Sequence, residues 1–213
     1  MKKEEILKAL GWRYAVKTFD PSKKVNDADV RAILESARLS PSSFGIEPWK
    51  FIVVTNPEIR AKLRAVSWDQ TKVTDASHLV IVARRTDVAS LSPELIARTA
   101  KAQGKTEADL AQYKGMLDGS ISAKSTVPGA VDAWLSAQTY IPLGIMSETA
   151  ALMGIDTCPM EGFDPGQVNE ILGLGAQNLS ATSMLAVGYR GDDAHASVPK
   201  TRRPFEEVVQ FVA

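Results

Sequence analysis

Cysteine and histidine are scarce in this sequence: its 213 residues include one cysteine, Cys158, and two histidines, His78 and His195. A single cysteine cannot form an internal disulfide, and two histidines are too few for a Cys/His zinc cage. His78 lies at the edge of an apolar run, which is more typical of a packed histidine than of a catalytic base. Cys158 has no CxxC partner. We therefore expect no metal site, no disulfide and no Ser or Cys hydrolase chemistry.

The sequence also lacks an excess of charge of either sign, because 25 Lys and Arg balance 25 Asp and Glu. Without a uniform field, little attracts the chain to nucleic-acid phosphates or to an anionic membrane. No apolar run reaches the roughly 20 residues that a membrane-spanning helix needs. The first ten residues lack the apolar core and cleavage site of a signal peptide. These absences predict a soluble, cytoplasmic protein with no nucleic-acid or membrane partner.

Nucleotide-binding motifs rich in glycine are missing as well. Residues 173–178, GLGAQN, begin like a dinucleotide fingerprint but lack its third glycine and follow a predicted helix rather than a strand. No GxxxxGK[ST] phosphate loop is present in the sequence. We interpret 173–178 as a helix end followed by a loop.

Apolar periodicity and capping residues predict about six helices and three or four strands. The sequence favours strands at 49–55, 78–84 and 182–188, each separated from the next by helical segments. Single strands among helices indicate an α+β or α/β fold in one domain, 1–213. Helix starts are expected near Asn26, Asn56, Ser92, Thr106 and Asp164, and helix ends near Val66, Gly104 and Gly173.

The longest helical pattern runs from about 130 to 153 and is apolar around nearly its whole circumference. Such a helix is expected to be central, and Pro142 should bend it. The tail, 198–213, begins with a basic cluster at 200–204. It ends with the apolar residues Val208, Val209, Phe211 and Val212. An apolar arm of this kind needs a surface to pack on, and a partner subunit is a candidate.

Four separated polar clusters remain, at 13–19, at 40–43, at Lys72 and at 200–202. Arg and Lys from both ends of the chain, with serines between them, suit a phosphorylated ligand. Taken singly, each cluster is more typical of a solvated surface turn, and the spacing alone does not show that the clusters converge.

The order of these clusters resembles that of the FMN-dependent nitroreductases, in particular the oxygen-insensitive NAD(P)H nitroreductase and dihydropteridine reductase group. The resemblance covers nearly the whole chain. Five motifs in family-like order carry it: RYAVKTFD at 13–20, SPSS at 40–43 ahead of EPWKF at 47–51, DASH at 75–78, PMEGF at 159–163 and PKTR at 199–202.

The resemblance implies an α+β nitroreductase-like fold with a central, mostly antiparallel sheet covered by helices. It also implies an intertwined homodimer with two FMN sites at the interface, a lid segment at 91–128 and a C-terminal arm at 198–213. Substrate preference is expected to reside in the lid.

By the same resemblance, Arg13, Lys200 and Arg202 bind the FMN phosphate, and Lys17 and Lys72 lie along the flavin pyrimidine ring. Positive charge there favours the reduced flavin. The backbone at Glu161 and Gly162 is expected to face flavin N5, so no side chain serves as a catalytic acid or base. The remaining implied cofactor contacts are Tyr14, Ala15, Pro41, Ser42, Ser43, Gly45, Asp69 and Met160, with the Pro41–Ser43 turn coming from the other subunit.

Three positions depart from the family pattern. Ala15 replaces a usual serine and Gly45 a common asparagine, which removes two polar contacts to the phosphate and ribityl end of the cofactor. Asp69 stands where relatives carry an amide; its carboxylate can accept from flavin N3–H, but its charge opposes reduction unless Lys72 offsets it or Gln70 takes the role. Phe44, Trp68 and Tyr113 are the candidate substrate residues.

The implied activity is ping-pong reduction of a small-molecule electron acceptor, a nitroaromatic or a quinone, by NADH or NADPH through FMN. Two alternatives stay open. One is another reaction of the same superfamily, such as dehalogenation, enone reduction or flavin fragmentation. The other is a flavin-binding protein without turnover.

Overall fold

A computed structural model describes residues 2–212 and places a four-stranded antiparallel sheet between two layers of helices. The strands are β1 (Trp49–Val54), β2 (His78–Arg85), β3 (Asp156–Met160) and β4 (Leu179–Gly188), in the spatial order β1-β2-β4-β3. The helices of the described residues are α1 (Lys3–Trp12), α2 (Asp27–Arg38), α3 (Pro57–Ala65), α4 (Lys72–Asp75), α5 (Val88–Gln103), α6 (Ala111–Ser125), α7 (Ala130–Leu152), α8 (Pro165–Leu172) and α9 (Phe205–Val208). The predicted α+β class and antiparallel sheet are confirmed.

Side chains of the central strand β2 alternate between two cores. Leu79 and Ile81 pack with Leu63 and Val168 on the face covered by α3, α4 and α8. Val80 and Val82 pack on the opposite face, with residues of α2 and α7 that include Met146. Because both faces are covered, β2 is apolar throughout its middle, as its sequence predicts.

Most helix boundaries follow their capping residues. The side chains of Asn26, Asn56 and Asp164 each accept a hydrogen bond from the backbone N–H three residues later. Gly104 and Gly173 adopt left-handed conformations, with φ of 63° and 60°, at the ends of α5 and α8. Glycine adopts this geometry without the steric penalty that a side chain brings.

Four points of the predicted secondary structure need correction. The helix expected to open at Ser92 begins at Val88, so that Pro93 lies inside α5. β3 was not among the predicted strands, and β4 starts at Leu179 rather than at Thr182. Thr106 does bond reciprocally with Asp109, but a short 3-10 turn precedes α6, which begins at Ala111.

Helix α7 contacts α1, α2, α6 and three of the strands, which agrees with its predicted central position. It continues through Pro142. Its side chains are buried on one face, whereas Tyr140 and Ile141 are about 40% exposed on another. The arm is similarly uncovered, with Phe211 and Val212 more than 85% exposed. None of the helices within residues 2–212 is long and apolar enough to cross a membrane.

Candidate cofactor site

Basic side chains from both ends of the sequence meet beside the end of α1. The Lys200 ammonium donates to the carbonyl oxygens of Leu10 and Gly11. Burial, followed by the positive charges of Arg13 and Arg202, lowers the pKa of Lys200. Within residues 2–212, none of these three cations forms an ion pair with a carboxylate. The cluster therefore carries uncompensated positive charge.

The Arg13 guanidinium has a donor that no described residue satisfies. Its Nε is buried and has no hydrogen-bond partner within the described chain. A buried donor without a partner is costly, and an anionic acceptor relieves that cost. Arg13 also lines a cavity of about 450 Å³ that Tyr140, Pro159 and one acidic residue, Glu148, border. The arrangement is suited to an anion, and a phosphate group fits its donors.

Two further lysines lie near Cys158 in β3. Burial raises the pKa of the Cys158 thiol, and the ammonium groups of Lys72 and Lys17 are close enough to oppose that rise. Lys72 is 9% exposed, while Lys17 is exposed. Ala15 lies beside this strand through a bridge to Thr157, so the segment 13–17 runs along the outer edge of β3. Lys17 and Lys72 thus both lie near β3, the edge strand beside which the segment 13–17 runs.

Strained backbone marks the segment before α4. Trp68 and Asp69 both have positive φ, 55° and 52°, which non-glycine residues adopt rarely. Trp68 is 78% exposed, and its ring lies directly against Gly162. The Gln70 side chain donates to the Gly162 carbonyl at 2.8 Å. Trp68 and the Glu161–Gly162 segment therefore form one unit, and consecutive strained residues are typical of functional sites.

The carboxylate of Asp69 forms an ion pair with Arg64. Arg64 Nε donates to its Oδ1 at 2.7 Å, and the Asp69 side chain is 80% exposed. The expected offset to the Asp69 charge is thus supplied by Arg64, which the sequence analysis did not identify. Gln70 uses its amide nitrogen on the Ser67 and Gly162 carbonyls.

The Pro41–Ser43 turn is fixed on another side of the molecule. The Ser43 N–H donates to Gln138 Oε1 of α7 at 2.8 Å, and Ser42 Oγ accepts from the Glu47 N–H. Phe44 has φ of 55° and Gly45 of 66°. The Tyr113 hydroxyl donates to the Phe44 carbonyl at 2.5 Å. Phe44 and Tyr113 border a cavity of about 640 Å³ with Arg98 and Leu110, and Trp68 is not part of it.

Helix α7 separates this turn from Glu161. The Tyr140 hydroxyl donates to Glu161 Oε1 at 2.8 Å. Burial and the Glu161 carboxylate raise the pKa of Tyr140 to about 12. Gln138 and Tyr140 are two residues apart, or about 200° around a helix, so they lie on opposite sides of α7. Within one chain, the turn and the Arg13 side of the site therefore do not meet.

A comparison with protein families decides the assignment: the model of the Nitroreductase family matches residues 10–189. This chain belongs to the nitroreductase family. Its relatives include two provisionally named NAD(P)H nitroreductases. That of Staphylococcus aureus (strain bovine RF122 / ET3-1) is 40% identical, across 98% of this chain and 96% of the relative. YfkO of Bacillus subtilis (strain 168) is 41% identical, across 99% and 98%. The protein is accordingly an oxidoreductase of the nitroreductase type.

Solved structures show the same nitroreductase fold. The protein ydfN of Bacillus subtilis superimposes with a TM-score of 0.84 at 22% identity, covering 99% of this chain and all of the other. A nitroreductase-like structure from Exiguobacterium sibiricum 255-15, described as a complex with FMN, gives a TM-score of 0.78 at 23% identity, covering 100% and 98%. At these sequence identities, the structural similarity shows a shared fold and nothing more.

Proposed function

We propose that this nitroreductase binds FMN and uses NADH or NADPH to reduce nitroaromatics, quinones or related acceptors. The observation that carries the proposal is the buried Nε of Arg13, which has no hydrogen-bond partner among residues 2–212 and lies in a cluster with Lys200 and Arg202. The description of the Exiguobacterium sibiricum structure as an FMN complex supports the choice of ligand. The residues present fit a flavin phosphate.

In this proposal, FMN bound at the site would supply the two-electron redox chemistry that links the nicotinamide donor to the acceptor in a ping-pong cycle. The chain supplies position and charge. Arg13, Lys200 and Arg202 bind the phosphate. Lys17 and Lys72 provide positive charge that stabilises the negative charge of a reduced ring. The backbone of Glu161 and Gly162 is fixed by Trp68 and by Gln70, so that it holds its orientation during turnover.

The proposed site is completed by a second copy of the chain. The Pro41–Ser43 turn lies across α7 from Arg13 and Glu161, and a helix with its side chains is about 10 Å thick. A partner's turn can reach the exposed side of α7, where Tyr140 and Ile141 are uncovered. The apolar arm at 198–213, in which Phe211 and Val212 are exposed, is the segment that wraps the partner. Phe44 and Tyr113 then border the acceptor site, with 91–128 as its lid in a single domain.

A spectroscopic experiment tests the proposal. The purified protein is expected to be yellow, to bleach anaerobically with NADH or NADPH, and to regain its colour with a nitroaromatic or a quinone. Arg13→Ala should weaken FMN binding by about tenfold or more, since a charge-assisted hydrogen bond contributes about 1.5–3 kcal/mol. Arg203→Ala, which removes the same charge from an exposed neighbour of Arg202, serves as the control.

The alternatives give different results. A yellow protein that neither nicotinamide bleaches performs another flavin reaction, such as enone reduction or dehalogenation. A protein that cannot take up FMN contradicts the proposal outright. Light scattering of the same preparation tests the assembly, because a stable FMN-loaded monomer is incompatible with a site that needs the partner's turn.

A further inference from the structure

Asp193 is a buried carboxylate that joins the two ends of the sequence. Its side chain is 1% exposed. Its Oδ2 accepts from the Lys17 N–H at 2.7 Å, the Thr18 N–H at 3.2 Å and the Tyr14 hydroxyl at 3.0 Å. Its Oδ1 accepts from the His195 N–H at 2.9 Å, and His195 Nδ1 lies 3.2 Å from the same oxygen. Both oxygens are therefore fully engaged.

These hydrogen bonds keep Asp193 ionised. Burial alone would raise the pKa of Asp193, but donors on the backbones of His195, Lys17 and Thr18, together with the Tyr14 hydroxyl, outweigh it and hold that pKa well below its usual range. Burial and the Asp193 carboxylate in turn raise the pKa of Tyr14 to about 12. The hydroxyl of Tyr14 therefore keeps its proton near neutral pH and donates a hydrogen bond to Asp193.

The bonded segments are the ones that carry the phosphate-binding cations. Tyr14 follows Arg13 directly, and Lys17 belongs to the same stretch. On the other side, Asp193 caps the short 3-10 turn Ala194–Ser197, after which the chain leads through Val198 and Pro199 to Lys200. Asp193 itself presents no free oxygen to a ligand. Its geometry orients the segments on which other residues bind the anion.

We propose that Asp193 is a positioning residue which holds Arg13 and Lys200 in register as one anion site. The inference rests on the proposed flavin function for the identity of the ligand, but the anion site can be probed without flavin. Replacement by asparagine keeps the size of the side chain but turns an NH₂ group toward backbone N–H donors, which leaves buried donors unpaired. The two segments should then separate.

The test compares Asp193→Asn with Asp192→Asn, which makes the same change in charge at an exposed neighbour. Binding of FMN and of riboflavin to the apoproteins is measured by quenching of flavin fluorescence. Asp193→Asn should weaken FMN binding by about tenfold or more and riboflavin binding by less than about threefold, since riboflavin lacks the phosphate. Asp192→Asn should match the parent protein for both ligands.

Binding of inorganic phosphate tests the anion site without flavin. It should raise the thermal midpoint of the parent apoprotein and of Asp192→Asn, and this shift should be lost in Asp193→Asn. If the parent responds to phosphate but not to FMN, the flavin function fails; the positioning role stands if Asp193→Asn loses the phosphate response and fails if it keeps it. If neither ligand acts on the parent, both proposals fail.

Two results overturn the positioning role directly. One is FMN affinity in Asp193→Asn equal to that of the parent. The other is an equal loss of FMN and riboflavin affinity, which would show that Asp193 only supports the fold. Should Asp193→Asn fail to fold, Tyr14→Phe removes one donor while keeping the ring. It is expected to weaken FMN selectively over riboflavin, and equal weakening of the two ligands contradicts the proposal.

Discussion

Replacing Gly162 by alanine should disturb the Trp68 unit in a way that can be estimated from the structure. A Cβ atom at position 162 would lie 2.6 and 2.7 Å from two ring carbons of Trp68 and 3.0 Å from Gln70 Nε2. Ordinary contacts between carbons are about 3.5–4.0 Å. The ring must therefore retreat by about 1 Å, or the segment 67–70 must shift and strain the hydrogen bond from Gln70 to the Gly162 carbonyl.

The loss of stability caused by this substitution depends on how freely the Trp68 ring can move away. Overpacking a tight site typically destabilises by about 1–3 kcal/mol. Because the Trp68 ring is 78% exposed and can turn toward solvent, we expect Gly162→Ala to lower the free energy of unfolding by about 1 kcal/mol, at the low end of that range. Tryptophan emission should shift to longer wavelength as the ring becomes more hydrated.

Urea unfolding of the apoprotein, followed by fluorescence, measures both effects. Gly115→Ala is the matched control, because Gly115 is an exposed residue of α6 with open space around its Cβ position. Alanine is favoured over glycine inside a helix by about 0.5–1 kcal/mol, so the control should be stabilised. If Gly162→Ala is as stable as the parent and its emission is unchanged, Trp68 does not pack on Gly162.

Two predictions concern charge at the proposed flavin site. Asp69→Asn should raise the midpoint potential of bound FMN by about 10–20 mV, the equivalent of 0.5–1 kcal/mol for an exposed charge; an unchanged or lower potential in spectroelectrochemistry contradicts this. The second prediction concerns Lys200, whose pKa is lowered below 10.5 by burial and by Arg13 and Arg202. Affinity for phosphate should therefore fall as pH rises through this lowered pKa, because Lys200 loses its charge. The unliganded protein should become more stable between that pKa and 10.5, because in this range the unfolded lysine still binds a proton that the folded one has released. Lys200→Met should abolish both trends, and their persistence would assign them to another group.

The secondary structure that was predictable from sequence is the part with strong local signals. Asn26, Asn56 and Asp164 cap the first turns of their helices, the last two together with a following proline, and the middle of β2 is an apolar run. β3 lacked such a signal, because Asp156–Met160 contains polar residues and Pro159. Its position at the edge of the sheet explains how a proline is accommodated there.

The start of α5 was misplaced for a different reason. Proline is favoured in the first turn of a helix, so Pro93 predicted a start at Ser92. The helix instead extends back to Val88, and Leu91 in the added turn is 1% exposed, packed with Leu117 and Leu135. Burial of this side chain compensates for the backbone hydrogen bond that Pro93 cannot donate.

The site residues were predictable only where a resemblance supplied them. Arg13, Lys200 and Arg202 do come together, as the order of motifs implied. Asp193 and Gln138 were missed because each contacts residues that are distant in the sequence, whereas Arg64 was missed although its partner Asp69 is only five positions away. The bond from Lys17 to Asp193 spans 176 positions, and the bond from Ser43 to Gln138 spans 95. No local pattern in the sequence encodes such pairings.

The contact between Lys200 and the end of α1 has a consequence for how the protein is made. It joins positions 189 apart, so the anion cluster cannot exist on a ribosome until residue 200 has been synthesised and has left the exit tunnel. Contacts of such high sequence separation are entropically the slowest to form. The sheet can therefore assemble well before the anion site does. A polypeptide that ends before Lys200 could fold over most of its length, yet it would lack Lys200 and Arg202, two of the three cations proposed to bind the phosphate.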